Sequence, residues 1–382
     1  MRVKLGLDNI IENDFKELKD KRIGLITNAS GITSNLEMNI DVFLKNGLNL
    51  KKIFSPEHGL FMTHQDGELI ENQKLKDTAV EIISLYSSKR APSKDDIEDV
   101  DVLVYDIQDV GLRFYTYIYT LRYCMQKASE CEKEFIVLDR PNPLSGNVIR
   151  GPMIKENLES FVGGMRLPIR YSLTPGELAL YIKSFDKLDL DLKIVKMENW
   201  KRDMYYDDTG LFWNIPSPNL PTFESVICYV GNCLIEATNI SEGRGTTRPF
   251  QFIGAPWIDE DLLYHELKNK NIPGIAFRKR VFMPRFSKFS NQKCNGLEVF
   301  PENKEADFLR FVIEFLKVVN SLWPNEFHVK INEEGVSFDN LAGTDSLRKM
   351  ILSNVDTEEI IDSWKKDEEE FEDLIAELKL YR

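Results

Sequence analysis

The sequence predicts an α/β fold: a Rossmann-like, mostly parallel sheet in the first part of the chain, followed by a smaller α+β domain. Three observations point to it. Short apolar runs recur at residues 22–27, 50–55, 80–85, 100–107 and 135–138, each about one strand long. Most are separated by stretches long enough for a helical crossover, which is what a parallel sheet covered on both faces requires. Several runs end in polar or turn-forming residues, such as Asn28, Ser30 and Gly31 after the first and Pro56, Glu57, His58 and Gly59 after the second.

Residues 14–21 read as a short helix or linker ahead of the first strand, RIGLIT. A helix follows over 35–46, with Leu36, Ile40, Phe43 and Leu44 on one side. The stretch VDVLVYDIQDVGLRFYTYIY, residues 100–119, organises the rest. Val102, Leu103, Val104 and Ile107 make a buried strand, and Asp106 and Asp109 bracket its end. Gly111 supplies a permissive backbone, and Arg113 opens an aromatic run that becomes a helix over 114–128. Ligands of open α/β sheets bind outside the carboxyl ends of the strands, so these residues read as the rim of a site. The alternative is a capped strand end holding a buried Asp–Arg pair. The run at 135–138 ends in Asp139, Arg140, Pro141, Asn142 and Pro143. Thr174, Pro175 and Glu177 spell a helix start, with a cap, a first-turn proline and a capping-box glutamate. Residues 192–197 form a further strand. Residues 213–222, WNIPSPNLPT, carry three prolines and no period. They form a rigid loop that either shapes a pocket or crosses between domains.

The densest polar cluster lies at 234–250, where Glu236, Asn239, Glu242, Arg244, Thr246, Thr247 and Arg248 surround two glycines. Such a loop suits sugar or phosphate oxygens, or else forms a self-satisfied network at a domain interface. Beyond it come a helix at 259–268, strands at 275–284 and 296–300, a helix at 306–319 and one or two surface helices over 358–380. The chain therefore divides into 1–227 and 228–382, with a site in the cleft between the two parts.

Composition narrows the function. A net charge of -13 argues against a nucleic-acid partner, which needs a cationic footprint. No apolar run is long enough to cross a bilayer, so no membrane partner is expected. The first residues lack the apolar core and cleavage site of a signal peptide, and a cytoplasmic location is expected. Cys124, Cys131, Cys228, Cys233 and Cys294 form no paired framework and read as reduced thiols. TNASGITSN follows the first strand in place of a dinucleotide fingerprint, and there is neither a phosphate-binding P-loop nor a nucleophile elbow. His58 and His64 with Asp66 or Glu68 match no compact metal motif, so neither metal nor cofactor is expected.

Carboxylate chemistry remains. Glu57, Asp106, Asp109 and Asp139 all follow predicted strands, and Glu236 and Glu242 can reach the same cleft. Acidic pairs beside arginines suit glycoside hydrolysis, in which one group protonates the leaving oxygen and another steers water or stabilises positive charge. Glu57 is the leading acid, because an apolar strand and a rigid proline place it where a partly buried carboxyl can act. Candidate substrate contacts are Asn28, His58, Asp106, Asp109, Arg113, Asp139, Asn219, Asn239 and Arg244, from their positions at strand ends and in polar loops.

Several of these segments, in order, carry a resemblance: GLITN at 24–28, FSPEHG at 54–59, DIQDVG at 106–111 with Arg113 to Tyr117, DRPNP at 139–143 with Gly146, Thr174 with 176–179, then 216–222, 236–249, GAPW at 254–257 and 338–345. Together they resemble the NamZ family of bacterial exo-β-N-acetylmuramidases, formerly a domain of unknown function and also called YbbC-like. The resemblance implies a Rossmann-like domain and a smaller second domain with the site between them. It implies release of terminal, non-reducing N-acetylmuramic acid from a muramyl sugar or small peptidoglycan fragment. It maps the family's proposed catalytic glutamate onto Glu57; Glu236 and Glu242, from the polar cluster, are the further catalytic candidates. A non-catalytic sugar-binding protein on the same scaffold is the alternative. Arg244 is a candidate for the lactyl carboxylate that distinguishes muramic acid from glucosamine. The chain departs from the family at Phe61, where an arginine is usual, at Tyr171-Ser172, where His-Gly is usual, and at Ala237, where glycine is usual.

Overall fold

A computed structural model describes residues 2–65, 67–87, 89–331 and 336–382. The first part runs α1 (Gly6–Glu12), β1 (Ile23–Thr27), α2 (Asn39–Lys45), β2 (Leu50–Ser55), β3 (Gln73–Lys74), β4 (Glu81–Ser84), α3 (Lys94–Ile97), β5 (Val102–Asp106), α4 (Tyr117–Glu130) and β6 (Glu134–Leu138). It continues with β7 (Ile149–Arg150), β8 (Arg170–Tyr171), α5 (Pro175–Phe185) and β9 (Leu192–Val195). The second part comprises α6 (Phe223–Asn232), β10 (Phe252–Ala255), α7 (Glu260–Lys268), β11 (Ile275–Phe282), β12 (Cys294–Pro301) and α8 (Phe308–Leu322). It closes with α9 (Phe338–Ala342), α10 (Asp345–Leu352), α11 (Thr357–Asp362) and α12 (Lys365–Ile375).

Among the described residues, seven strands form one sheet in the order β3-β4-β2-β1-β5-β6-β9. All neighbours pair in parallel except β3, which lies antiparallel on the β4 edge. Strand side chains alternate between faces, and here both faces are apolar. Val102 and Val104 of β5 join Leu7, Ile10, Phe43 and Leu25 on one side. Leu103 and Tyr105 join Ile26, Phe135 and Val137 on the other. This two-sided burial explains why the strands read as near-continuous apolar runs. The smaller part holds a three-stranded antiparallel sheet, β10-β12-β11. The α/β-then-α+β architecture is as the sequence predicts.

The core on the second face does not stop at the smaller part. It continues through Val226 and Val230 of α6 to Phe308, Phe311 and Phe315 of α8. Gly231 brings these two helices together, because a Cβ there would meet the Phe308 carbonyl oxygen at 1.8 Å. That contact fixes α6, which carries Tyr229 to the site.

Some elements differ from expectation. Helix α4 starts at Tyr117 rather than at 114, because the Arg113 amide donates to the Ile169 carbonyl at 2.9 Å and holds the chain in a turn. Helix α2 starts at Asn39 rather than at 35, after a turn in which Leu36 has a φ of 69°. Helix α6 has no counterpart among the elements expected from the sequence. Its residues from Ser225 to Asn232 are all buried, so it has no polar face and little helical signature.

Candidate active site

The strand order turns at β1, between β2 and β5, and open sheets usually bind ligands beyond the strand ends at such a point. Here that crevice is filled. Asp106 is fully buried and accepts from Arg140 Nε at 2.6 Å and Asn39 Nδ2 at 2.7 Å. Asn28 Oδ1 accepts from the Ser30 amide at 2.9 Å and the Ser30 hydroxyl at 2.6 Å, closing its own turn. The space left beside Ser30, Gln108 and Arg140 is about 10 Å³.

Other predicted groups are likewise engaged within the protein. Asp109 accepts from the Gly111 amide at 2.9 Å and from the Tyr171 hydroxyl, and burial pushes its carboxyl up to about 6. Gly111 has a φ of 76° and packs on the Asn142 side chain, where a Cβ would lie 2.3 Å from an amide atom. Arg113 does not pair with Asp109. Its guanidinium donates to the carbonyls of Pro152 at 2.7 Å, Leu167 at 2.8 Å and Leu341 at 2.9 Å, and burial lowers its pKa to about 10. Asp139 accepts from the Gly176 amide at 2.7 Å, Thr174 Oγ1 at 2.9 Å and the Tyr381 hydroxyl at 2.5 Å, and burial raises it to about 7. Asn239 donates to the Glu326 carbonyl at 2.7 Å and accepts from the His328 amide at 2.8 Å.

The cavity lies elsewhere, beyond the carboxyl ends of β2, β4 and β5. It measures about 600 Å³ and takes walls from both parts of the chain. Of the predicted site residues, Glu57, His58, Asn219, Glu236 and Arg244 line it; Asn28, Asp106, Asp109, Arg113, Asp139, Asn239 and Glu242 do not. Glu57 follows β2 directly and is 8% exposed. Its Oε2 accepts from the Thr116 hydroxyl at 2.6 Å and its Oε1 from the Gly67 amide at 3.2 Å. Burial and the neighbouring Glu57 carboxylate hold the Tyr86 phenol well above its ordinary pKa, so it stays protonated. His58 occupies the left-handed region at a φ of 71°, and its ring bridges the His64 carbonyl at 3.0 Å and Ser217 Oγ at 3.2 Å. Asn219 donates to Gln65 at 3.2 Å.

On the opposite wall Arg244 lies 2.6 Å from Glu236 and 3.5 Å from Glu242, with its guanidinium 4.9 Å from the Phe250 ring centroid. Glu242 stands behind the cavity wall, 2.7 Å from Lys288. Burial favours its neutral acid, but Lys288 and Arg244 together hold the carboxyl below the ordinary glutamate range. Lys288 also donates to the carbonyls of Ile235 at 2.9 Å and Thr238 at 3.1 Å, bracing this wall. Glu242 and Glu236 are thus held beside cations, whereas Glu57 meets no Lys or Arg at ion-pair distance among the described residues. His58 turns its ring to the His64 carbonyl, and no group of three or more His, Cys, Asp or Glu side chains converges as a metal site among the described residues. Asp66 lies outside the described residues.

Tyr86, Arg90, Thr116, Phe161, Ser337 and Asn340 also line the cavity and are not among the site residues expected from the sequence. Tyr86 and Arg90 follow β4 as Glu57 follows β2, so the strand-end rule extends to them. Ser337 and Asn340 arrive from α9 and its approach by tertiary packing, with no local signal. Among the family departures, Phe61 is 54% exposed and lies off the cavity. Tyr171 is buried on Asp109, and Ser172 holds a φ of 56°, a conformation that favours glycine.

A sugar-sized cavity with one buried carboxyl that has no cationic partner among the described residues, a second carboxylate beside an arginine, and aromatic walls defines a glycoside hydrolase. Comparison with known proteins specifies the kind. Residues 23–224 match the family described as exo-beta-N-acetylmuramidase NamZ, N-terminal, and residues 227–381 match its C-terminal counterpart. The chain belongs to the NamZ family. It is 41% identical over 373 residues to the peptidoglycan beta-N-acetylmuramidase NamZ of Bacillus subtilis strain 168, covering 97% of this chain and 89% of that relative. A crystal structure of a DUF1343 family protein from Bacteroides fragilis NCTC 9343 superposes with a TM-score of 0.91 at 34% identity, covering 100% of this chain and 99% of that one. A second DUF1343 family protein of the same organism gives a TM-score of 0.78 at 31% identity, with the same coverage. Among the described residues no helix is long and apolar enough to cross a membrane.

Proposed function

We infer that this chain hydrolyses the terminal, non-reducing N-acetylmuramic acid of peptidoglycan fragments, with Glu57 as the general acid. The observation that carries the assignment is the pairing pattern of the cavity carboxyls. Glu57 accepts hydrogen bonds from neutral donors, Thr116 and Gly67, whereas Glu236 is engaged by Arg244. A general acid must gain and lose a proton near working pH, which a carboxylate locked to a guanidinium resists. Glu57 protonates the leaving glycosidic oxygen. Glu236, 2.6 Å from Arg244, is the second carboxylate and faces the positive charge that develops on the sugar ring. Glu242 supports it from behind by holding Arg244 and Lys288 in place.

The test is release of free N-acetylmuramic acid from a muramyl disaccharide by purified protein, with Glu57→Gln as the control. Binding of the sugar without turnover would make the chain a sugar-binding protein instead. The proposed setting is the cytoplasm, acting on imported fragments. The five cysteines are free, and thiols persist in a reducing compartment. Fractionation that recovers the protein outside the membrane would refute this setting.

A further inference from the structure

We propose that Arg90 recognises the lactyl carboxylate of the muramyl sugar and so sets the preference for muramic acid over glucosamine; the proposal rests on the muramidase reading above. The cavity wall holds two arginines, Arg90 and Arg244. Arg244 already faces Glu236 at 2.6 Å and Glu242 at 3.5 Å, so its charge is matched within the protein. Arg90 has no acidic partner at ion-pair distance among the described residues. Its guanidinium lies 3.6 Å from the Tyr86 ring centroid and 4.6 Å from that of Phe161. Its Nη1 is buried without a hydrogen-bond partner among the described residues.

A guanidinium stacked on rings is held by its faces, which leaves the N–H groups along its edge to bind. That planar edge matches a carboxylate with two parallel hydrogen bonds. A half-buried cation with an unpartnered donor and no acidic partner among the described residues is a site for a ligand anion. Its position fits the sugar. The Tyr86 phenol interacts with both Arg90 and Glu57. In muramic acid the lactyl ether sits on C3, two ring carbons from the anomeric carbon whose leaving oxygen Glu57 protonates. A cation separated from the acid by one tyrosine stands in the corresponding place. Glucosamine has a hydroxyl there and offers no anion.

The experiment compares the parent, Arg90→Gln and Arg90→Lys on the 4-nitrophenyl β-glycosides of N-acetylmuramic acid and of its neutral lactyl methylamide. The parent should prefer the free acid. In Arg90→Gln that preference, as a ratio of kcat/KM values, should fall about 10- to 100-fold, mainly through KM. Arg90→Lys keeps the charge without the fork and should recover part of it. A ratio that stays at the parent value in Arg90→Gln overturns the proposal. So does a parent that hydrolyses both glycosides without preference. If the parent hydrolyses neither, the muramidase reading fails, and calorimetric binding of N-acetylmuramic acid against N-acetylglucosamine decides for Arg90. Acid-selective binding lost in Arg90→Gln supports the carboxylate site; equal binding of both sugars, or of neither, overturns it.

Discussion

Thr116 occupies the N-cap of α4, yet its side chain does not cap that helix; its hydroxyl donates to Glu57 Oε2 at 2.6 Å. A threonine at this position ordinarily satisfies an orphan amide of its own helix. Here the hydroxyl orients the proposed acid. Thr116→Val should therefore lower kcat about tenfold, the equivalent of one charge-assisted hydrogen bond, while the melting midpoint changes little because no cap is lost. Thr116→Ser should keep the parent kcat. A large fall in melting temperature with unchanged kcat would assign Thr116 to the helix instead.

Glu57→Gln retains size and much of the hydrogen bonding but cannot donate a carboxylic proton. Turnover of a muramyl disaccharide should drop by about 10²–10⁴. The loss should be smaller on an aryl glycoside, whose leaving group needs little protonation. Parent-like rates on both substrates would move the acid to Glu236.

Arg244→Lys should weaken muramyl and glucosaminyl substrates to a similar degree, because the guanidinium is matched by Glu236 and Glu242 and serves the wall. Steady-state kinetics on the two sugars decides the point. A loss confined to muramyl substrates would return the lactyl contact to Arg244.

Asp109 supplies a pH signature. Burial raises its folded pKa to about 6, above the unfolded value of about 4. A raised carboxyl binds its proton more tightly in the folded protein. This contribution to stability is present in full below about pH 4 and is lost as pH rises through about 6. Asp109→Asn lacks the titration. Relative to the parent, its unfolding free energy should rise by about 1–3 kcal/mol between pH 4 and pH 7. Urea unfolding of both proteins across that range measures it, and a constant difference would show that Asp109 does not titrate there.

Arg113→Met fills similar space but strands the carbonyls of Pro152, Leu167 and Leu341. Stability should fall by about 3–5 kcal/mol. Arg113→Lys should recover little, since one ammonium cannot reproduce the fork. Denaturant midpoints test this, and a neutral result would show that the carbonyls find other donors.

The strands were legible because two-sided burial writes itself as apolar runs, and Glu57 because a proline fixes it just past β2. Burial depth was not legible. Asp106 and Asp139 stand at strand ends as Glu57 does, and no local pattern shows that Arg140 and Tyr381 reach back to satisfy them. Helix α6 escaped because burial on all sides removes the polar stripe that marks a helix. Arg90 carries no local signal, because its significance lies in stacking on Tyr86 and on Phe161, a residue 71 positions further along the chain.

The filled crevice at β1 bears on how this protein could be inhibited. Compounds shaped for the nucleotide clefts of other doubly wound enzymes would find the crevice beyond β1 and β5 already occupied by the Asp106–Arg140 pair. A selective inhibitor should instead be a flattened, cationic sugar ring carrying an acidic side arm, the ring aimed at Glu236 and the arm at Arg90. Its acidic arm would give it little purchase on the many glucosaminidases that handle unbranched amino sugars.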